Sequence, residues 1–343
     1  MRGSHFPVRS SVLSPSALVV RVLPHYALPE PMLCRLIARG ANDTYQVTAA
    51  ADTFYFRVSI HGWRTRDELE AELALVTDLR GRGLSVAPVV PRADIDVLTS
   101  LLAPEGERFA VLFAPAPGES VPDLTTQQAR AYGRLAANVH MGADATSRAY
   151  RRFDLDERHL LDEPLESIRA AMVNGGEDLI FLEHIAERVR GQLGTLPRTL
   201  PEYGLCHGDL HPGNVRFDGA GQPTLFDFDC MGYGWRAYDL TVFLWNAFGE
   251  GRTKRWRERR WRAFTRGYRE VRPLPEGLDE VVPLFLVARQ VWLMGLDCAD
   301  RSGWPPQWIT PEWLRAMVSP IRTWVAEYPI LACSVASAPP IEL

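Results

Sequence analysis

The sequence predicts an α+β protein of two lobes. The smaller lobe is built on an antiparallel sheet with one helix, and the larger, mainly helical one carries a short β-hairpin. Three observations predict this. Short runs of β-branched and aromatic residues, separated by turn residues, crowd the first third of the chain. Apolar residues at helical spacing dominate the rest. Between the two lies 114–122, with Pro115, Pro117, Gly118 and Pro122, which reads as a crossover linker. A chain of 343 residues is long for one small domain. The lobes are assigned to 1–113 and 114–343.

Residues 1–14 read as a loose tail and 15–29 as a short helix that Pro24 interrupts. Strand-like runs follow at 32–39, 44–49 and 53–59, with turn signals at Gly40-Ala41-Asn42-Asp43 and at 50–52, which makes an antiparallel meander. Leu69, Leu73, Val76 and Leu79 recur at helical spacing and predict a helix over 65–82, which Gly83 ends. Two more strands are predicted at 86–90 and 110–113. Beyond the linker, helices are predicted at 125–140, 160–172, 179–196, 238–248, 256–271, 280–300 and 311–327, interrupted by one β region at 203–229. The tail 332–343 reads as poorly ordered.

Composition excludes several classes. A net charge of −4 and a pI near 6.1 argue against a general nucleic-acid binder. The most apolar late stretch, 281–296, is interrupted by Pro283, Arg289 and Gln290, so no membrane span is expected. The N-terminus shows no signal-peptide pattern. Five scattered cysteines without a C-x-x-C pair fit reduced thiols in a cytoplasm and no zinc site. The only lysine is Lys254, so any cation that contacts phosphate elsewhere must be arginine.

The β region carries the chemistry. It holds His207-Gly208-Asp209-Leu210-His211-Pro212-Gly213-Asn214, then a strand and turn that lead to Phe226-Asp227-Phe228-Asp229. A hairpin between Asn214 and Asp227 returns the second beside the first. Two carboxylates and an amide then meet at one end of a small sheet, an oxygen donor set that suits Mg²⁺ shared with phosphates. Asp229 is the weaker ligand candidate.

The Asp209-to-Asn214 spacing matches a kinase catalytic loop. The block 204–240 resembles the aminoglycoside phosphotransferase family, which includes choline kinases, type II homoserine kinases and bacterial stress-response kinases. The segments 105–113, 156–161 and 289–301 resemble the homoserine-kinase and stress-kinase branch. The resemblance implies a bilobal protein-kinase-like fold that uses ATP, or alternatively GTP, with Mg²⁺. It implies Asp209 as the base at the acceptor hydroxyl and Asn214 and Asp227 as metal ligands. His207 would brace the loop rather than move protons. His211 either packs in the loop or approaches the transferred phosphate. Asp239 would hold the loop by backbone hydrogen bonds or simply cap a helix.

The same pattern assigns the nucleotide side to the hairpin tip with Gly40 and Asn42, to Arg57 on the third strand, and to the linker backbone at Phe113 and Ala114. Glu72, on the helix face of Leu69 and Leu73, is the expected partner of Arg57, with Glu68 the alternative. For the acceptor, Trp235, Arg289 and Trp292 are candidates, and Asp297, Asp300 and Arg301 lie nearby in sequence. Trp292 with Arg289 reads equally as a core-facing ring beside an arginine that reaches outward. The basic run 252–269 reads as a solvated helix face.

The expected activity is transfer of the γ-phosphate of Mg-ATP to a hydroxyl of a small molecule, whether amino acid, amino alcohol or aminoglycoside. One alternative is a stress-response Ser/Thr protein kinase, which the compact 229–238 segment disfavours. A second is a catalytically silent nucleotide-binding module, which the intact Asp209, Asn214 and Asp227 set disfavours. A third is a metal-dependent hydrolase using His207, Asp209 and His211, which the spacing to Asn214 fits poorly.

Overall fold

The computed structural model describes residues 6–172, 175–249, 251–299 and 308–332. The small lobe begins with α1 (Pro15–Arg21), with Ser14 at its N-cap and Pro15 in its first turn. A single helical turn, Leu23–His25, follows it. The strands are β1 (Met32–Arg39), β2 (Asn42–Ala49) and β3 (Asp52–Ser59). Then come α2 (Arg66–Gly81), β4 (Val89–Val90), β5 (Thr99–Ala103) and β6 (Gly106–Phe113). The sheet is antiparallel in the order β1-β2-β3-β6-β4, with β5 also paired to β6.

The strand alternation gives the sheet two working faces. Phe56, Val58, Ala110 and Leu112 pack with Leu18, Val22 and Leu23 under α1. On the other face Val111 meets Leu69 and Leu73 of α2. That second face is also the side of Arg57. A capping box of Thr65 with Glu68 starts α2 and occupies the glutamate weighed as Arg57's alternative partner.

The crossover segment contributes β7 (Glu119–Ser120), and the large lobe opens with α3 (Thr126–Asp144), capped by Thr125 and Gln128. It continues with β8 (Asp154–Leu155), a wide turn at Arg158–Asp162 that runs into α4 (Glu163–Ala171), and α5 (Gly176–Leu193). Next come β9 (Tyr203–Cys206), β10 (Val215–Phe217), β11 (Pro223–Leu225) and β12 (Gly232–Trp235). The last helices are α6 (Arg236–Asn246), α7 (Lys254–Arg269), α8 (Leu278–Cys298) and α9 (Pro311–Glu327). β10 and β11 form the expected hairpin, to which β7 adds a strand, while β12 lies between β9 and β8. α3 and α7 cross closely, because a Cβ at Gly133 or Gly267 would lie about 2 Å from a carbonyl oxygen of the other helix.

Every helix predicted beyond residue 60 is present with its ends shifted by a few residues, whereas the one expected over 15–29 ends at Arg21 and is followed only by the turn Leu23–His25. β5, β7, β8 and β12 were not expected. The expectation that no segment could span a membrane needs correction: α8 reaches that length and apolar composition. It is a core helix, with Val282 through Trp292 buried and Arg289 and Gln290 in the middle of that run. Asp300, Arg301 and nearly all of the tail 332–343 lie outside the described residues.

Candidate active site

The loop 207–214 leaves β9 at the foot of the cleft between the lobes. Gly208 has φ 82°, and a Cβ there would lie 2.0 Å from the Cys230 carbonyl oxygen, so only glycine fits. Asp239, fully buried near the start of α6, holds the loop. Its carboxylate accepts from the backbone N–H of His207 at 2.7 Å and of Gly208 at 2.8 Å. His140 of α3 supplies a third hydrogen bond at 2.9 Å through Nε2. Burial pushes the His140 ring down to about 4, so it is neutral, donates from Nε2 and accepts the Tyr268 hydroxyl at Nδ1, 2.8 Å away. Burial acts to raise Asp239, but the hydrogen bond from His140, with those from the loop, holds it below the usual carboxylate range.

His207 has both ring nitrogens engaged inside the protein. Its Nδ1 accepts from the Asp209 N–H at 3.1 Å, and its Nε2 faces the Phe226 carbonyl at 3.1 Å. Burial lowers its basicity, so the ring is a neutral brace. His211 accepts the Gly213 N–H at Nδ1 and directs Nε2 to Asp209 Oδ2 at 3.3 Å.

The Asp209 carboxylate is tied at both oxygens. Oδ1 pairs with Nη2 of Arg289. Oδ2 accepts from Asn214 Nδ2 at 3.0 Å and faces His211. Burial would raise this acid, but Arg289 and His211 hold it far below the usual range. Arg289, expected to face the acceptor, is instead buried, turned onto Asp209 and stacked beside Trp245 and Trp292.

Asp227 follows β11 in the left-handed region, φ 63°, which an aspartate tolerates better than most residues. Its side chain is 46% exposed to the cleft, 3.3 Å from Arg57 Nη1. Arg57 Nη2 meets Glu72 Oε2 at 2.7 Å, and its guanidinium lies over the Phe113 ring. Desolvation between the cleft walls pushes Asp227 up to about 6; Arg57 opposes this, and Asp229, Asp209 and Glu72 add to it.

The donor set fits a hard divalent cation. Asn214 spends its amide N–H on Asp209, and among the described residues its amide oxygen accepts nothing. Asp227 sits in an excess of negative charge that a cation would relieve. A separate buried group, His140 with Cys206 and Asp239, has metal-ligating side chains close together. Asp239 there is already saturated by the loop and His140, which explains the cluster without an ion.

A cavity of about 230 Å³ opens from Arg57 and Asp227 toward the linker. Phe113 and Ala114 line it, as do Ile37, Thr44, Tyr55, Arg216 and Phe226. Gly40 and Asn42 do not. Gly40 is at the exposed hairpin tip, and Asn42 donates to Asp229 Oδ2 at 3.3 Å. Asp229 is a knot that the sequence did not reveal: Trp63 Nε1 donates to it at 2.7 Å, and Arg64 and Arg152 take its carbonyl oxygen. A second cavity, about 370 Å³, is walled by Trp63, Phe153, His159, Glu163 and Trp292. Trp235 is a correction: its ring is 2% exposed and packs against Tyr203 and Phe285 in the core, because β12 is paired on both sides.

A sheet lobe with a buried Arg–Glu pair, a helical lobe with an Asp–Asn loop and a following Asp, and a cleft between them define a phosphotransferase of the protein-kinase-like fold. The chain belongs to the phosphotransferase enzyme family, which matches residues 34–274. It is 40% identical over 291 residues to an uncharacterized protein of Deinococcus radiodurans, covering 85% of this chain and 84% of that one. It is 26% identical to the amicoumacin kinase of Bacillus subtilis, covering 76% and 79%, and 31% identical to the homoserine kinase of Allorhizobium ampelinum, covering 76% and 78%. Among solved structures, a microcompartment-associated aminopropanol kinase superposes with TM-score 0.74 at 24% identity, over 91% of this chain and 95% of that one. An amicoumacin kinase in complex with AMP-PNP and Ca²⁺ superposes with TM-score 0.75 at 20% identity, over 92% and 95%.

Proposed function

We propose that this phosphotransferase moves the γ-phosphate of Mg-ATP to a hydroxyl of an amine-bearing small molecule, with Asp209 as the group that orients the hydroxyl and accepts its proton. The observation that carries this is the Asp209 carboxylate, fixed at both oxygens at the foot of the cleft beside Asn214 and Asp227. Residues 1–113 supply the nucleotide lobe and 114–343 the catalytic lobe.

In this reading the cavity that runs from Arg57 to Ala114 takes the nucleotide, with Arg57, oriented by Glu72, at its phosphates. Asn214 and Asp227 would hold the Mg²⁺, which neutralises phosphate charge when bound. Asp209 has four lone-pair directions, and Arg289, Asn214 and His211 take three. The fourth is on Oδ1, beside Arg289, and that is where an acceptor hydroxyl approaches. The Trp292-walled cavity lies one helical turn farther along α8 and is the candidate space for the acceptor; of its carboxylates Glu68 is held in the α2 cap and Glu163 faces Arg158. The kinases of homoserine and amicoumacin among its relatives favour a small acceptor. So does the segment after Asp229, which is paired into a sheet rather than free to dock a peptide.

Asp209→Asn keeps the shape and removes the charge. Turnover falls about 10²- to 10⁴-fold, while ATP binding, followed by a fluorescent analogue, stays near wild type. Acceptors are found by ATP consumption with amino alcohols, hydroxy amino acids, aminoglycosides and a generic protein substrate. Undiminished turnover in Asp209→Asn rejects the base assignment, and activity on the protein substrate alone rejects the small acceptor.

A further inference from the structure

α7 carries more positive charge than its place in the fold needs. Eight of its sixteen residues are basic and only Glu258 is acidic, in a chain whose net charge is −4. Two of the eight hold the helix down. Arg257 lies over the Phe248 ring and donates to the Arg252 carbonyl, and Arg260 donates to the Leu124 carbonyl. Arg255, Arg259, Arg262, Arg266 and Arg269 are exposed and recur at steps of four and three, so they form one row on one face, about 21 Å long.

Helix stability does not account for the row. Like charges three or four residues apart repel each other. The first turn holds Lys254, Arg255 and Arg257 and no acid, against the helix dipole. Little answers the charge from outside. Arg262 is 3.6 Å from Glu258 and Arg266 is 3.5 Å from Glu270, with side chains 79% and 72% exposed, and Arg130 already takes Glu270 at 2.6 Å. Among the described residues Arg255, Arg259 and Arg269 have no ion pair. Beside the row runs a groove of about 530 Å³. Arg262, Arg266 and Arg269 form one rim, Trp261 and Leu278 give apolar surface within it, and Asp279 and Glu280 stand opposite.

Among polyanions, membranes and nucleic acids fit this face badly. No large apolar side chain of α7 is among the exposed ones, and Trp261 is stacked on Phe264, so neither a bilayer nor a stack of bases finds an anchor. The acids on the far rim repel phosphate chains. Guanidinium forks take carboxylates through paired hydrogen bonds, and steps of four and three are those by which a second helix presents one face. We propose that this face of α7 docks an acidic helix of a partner protein, with its carboxylates against the arginine row and an apolar side chain in the groove. The row matches a helical segment of about 14 residues. None of the five arginines lines either cleft cavity, so the docking face is independent of the acceptor reading.

The test is fluorescence anisotropy with the full chain and a labelled helical peptide of about 18 residues, which carries glutamate at steps of four and three and leucine beside them. The comparison probes are the same peptide with lysine for glutamate, the same peptide with serine for leucine, a short DNA duplex and phosphatidylglycerol vesicles. The glutamate peptide binds, more weakly as salt rises from about 50 to about 200 mM; the serine peptide binds less well and the lysine peptide not at all. Arg259→Gln, Arg262→Gln and Arg266→Gln combined weaken the glutamate peptide about 10- to 100-fold, with far-UV circular dichroism unchanged. A second variant, Arg255→Gln with Arg269→Gln at the ends of the row, weakens it about 3- to 10-fold. Tighter binding of the duplex or the vesicles than of the glutamate peptide overturns the choice of partner, and an equally tight serine peptide overturns the use of the groove. Unchanged affinity in the folded variants, or no salt-sensitive binding by the wild type, overturns the docking face itself.

Discussion

The geometry of the loop 207–214 depends on Asp239. Its carboxylate is 0% exposed and accepts three hydrogen bonds, two from consecutive backbone N–H groups of the loop and one from His140. Asp239→Ala leaves both N–H groups buried without acceptors, since His207 is itself 1% exposed. Hydrogen bonds to a charged group are worth about 1.5–3 kcal/mol each, and an orphaned buried donor costs about 1–3 kcal/mol. Losses within the network overlap, so we expect about 3–5 kcal/mol of destabilisation, a large part of the ~5–15 kcal/mol that holds a domain together. Asp239→Asn is the milder probe. Its oxygen serves one loop amide, but its NH₂ meets a second donor, so about half that loss is expected. Because His207 and Gly208 immediately precede Asp209, the folded Asn variant should also lose turnover, while nucleotide binding in the cleft remains. Urea unfolding followed by tryptophan fluorescence measures the first effect and ATP consumption the second. A variant with wild-type unfolding midpoint and wild-type turnover refutes the assignment and would mean that the loop is shaped by its own glycine and proline.

Two further predictions concern neighbours of that loop. Arg289→Met removes the counter-charge at Asp209 Oδ1 and frees the carboxylate to swing, so turnover drops about 10²-fold with little change in the apparent affinity for ATP; a rise in the KM for ATP alone would place Arg289 on the nucleotide instead. His140 is the source of an acid sensitivity. Its folded value is about 4, below the ~6.5 of an unfolded histidine, so protons bind the unfolded chain first. Its contribution is therefore fully present above about pH 6.5 and declines as pH falls toward 4, by up to about 2 kcal/mol at pH 5. His140→Gln should flatten that part of the stability–pH curve, and an unchanged slope would show that His140 is not its source.

What the sequence revealed follows from how far apart in space its signals had to reach. Asp209, Asn214 and Asp227 lie on one loop and hairpin, so spacing alone brings them together. Glu72 shares a helix face with Leu69 and Leu73, and those leucines pack on the sheet, so the same face delivers Glu72 to Arg57. Trp235 was misread because its environment comes from strand pairing with residues 203–206 and 154–155, which no local pattern announces. Arg289 depended on where a core helix passes the loop. β5 was missed because Leu102, in an apolar pair, points to solvent and hides the alternation. Arg216 had a usable signal: in Val215-Arg216-Phe217 the period of two sets the arginine against two core residues, so it had to face the cleft.

The arginines also explain why one acid in the cleft stands apart. The chain's only lysine, Lys254, is on the surface of α7, so every cation at the site is a guanidinium. Asp209 is matched by Arg289, Asp229 by Arg64 and Glu72 by Arg57. Asp227 has only the second nitrogen of Arg57, whose first is committed to Glu72 at 2.7 Å. The fork lets one side chain hold carboxylates on two different lobes, which a lysine's point charge does less well. It does not supply a second positive charge. Burial acts to raise all three acids; Arg289 outweighs it at Asp209 and Arg64 at Asp229, so both are held down, whereas Arg57 does not outweigh it at Asp227, which is pushed up. The acid left short of a full counter-charge is also the one most open to the cleft, so in the proposed reading it is where charge balance would favour a divalent ion. In the proposed reading an ion held by Asp227 would displace Arg57 from it, leaving Arg57 Nη1 available to phosphate while Glu72 keeps Nη2.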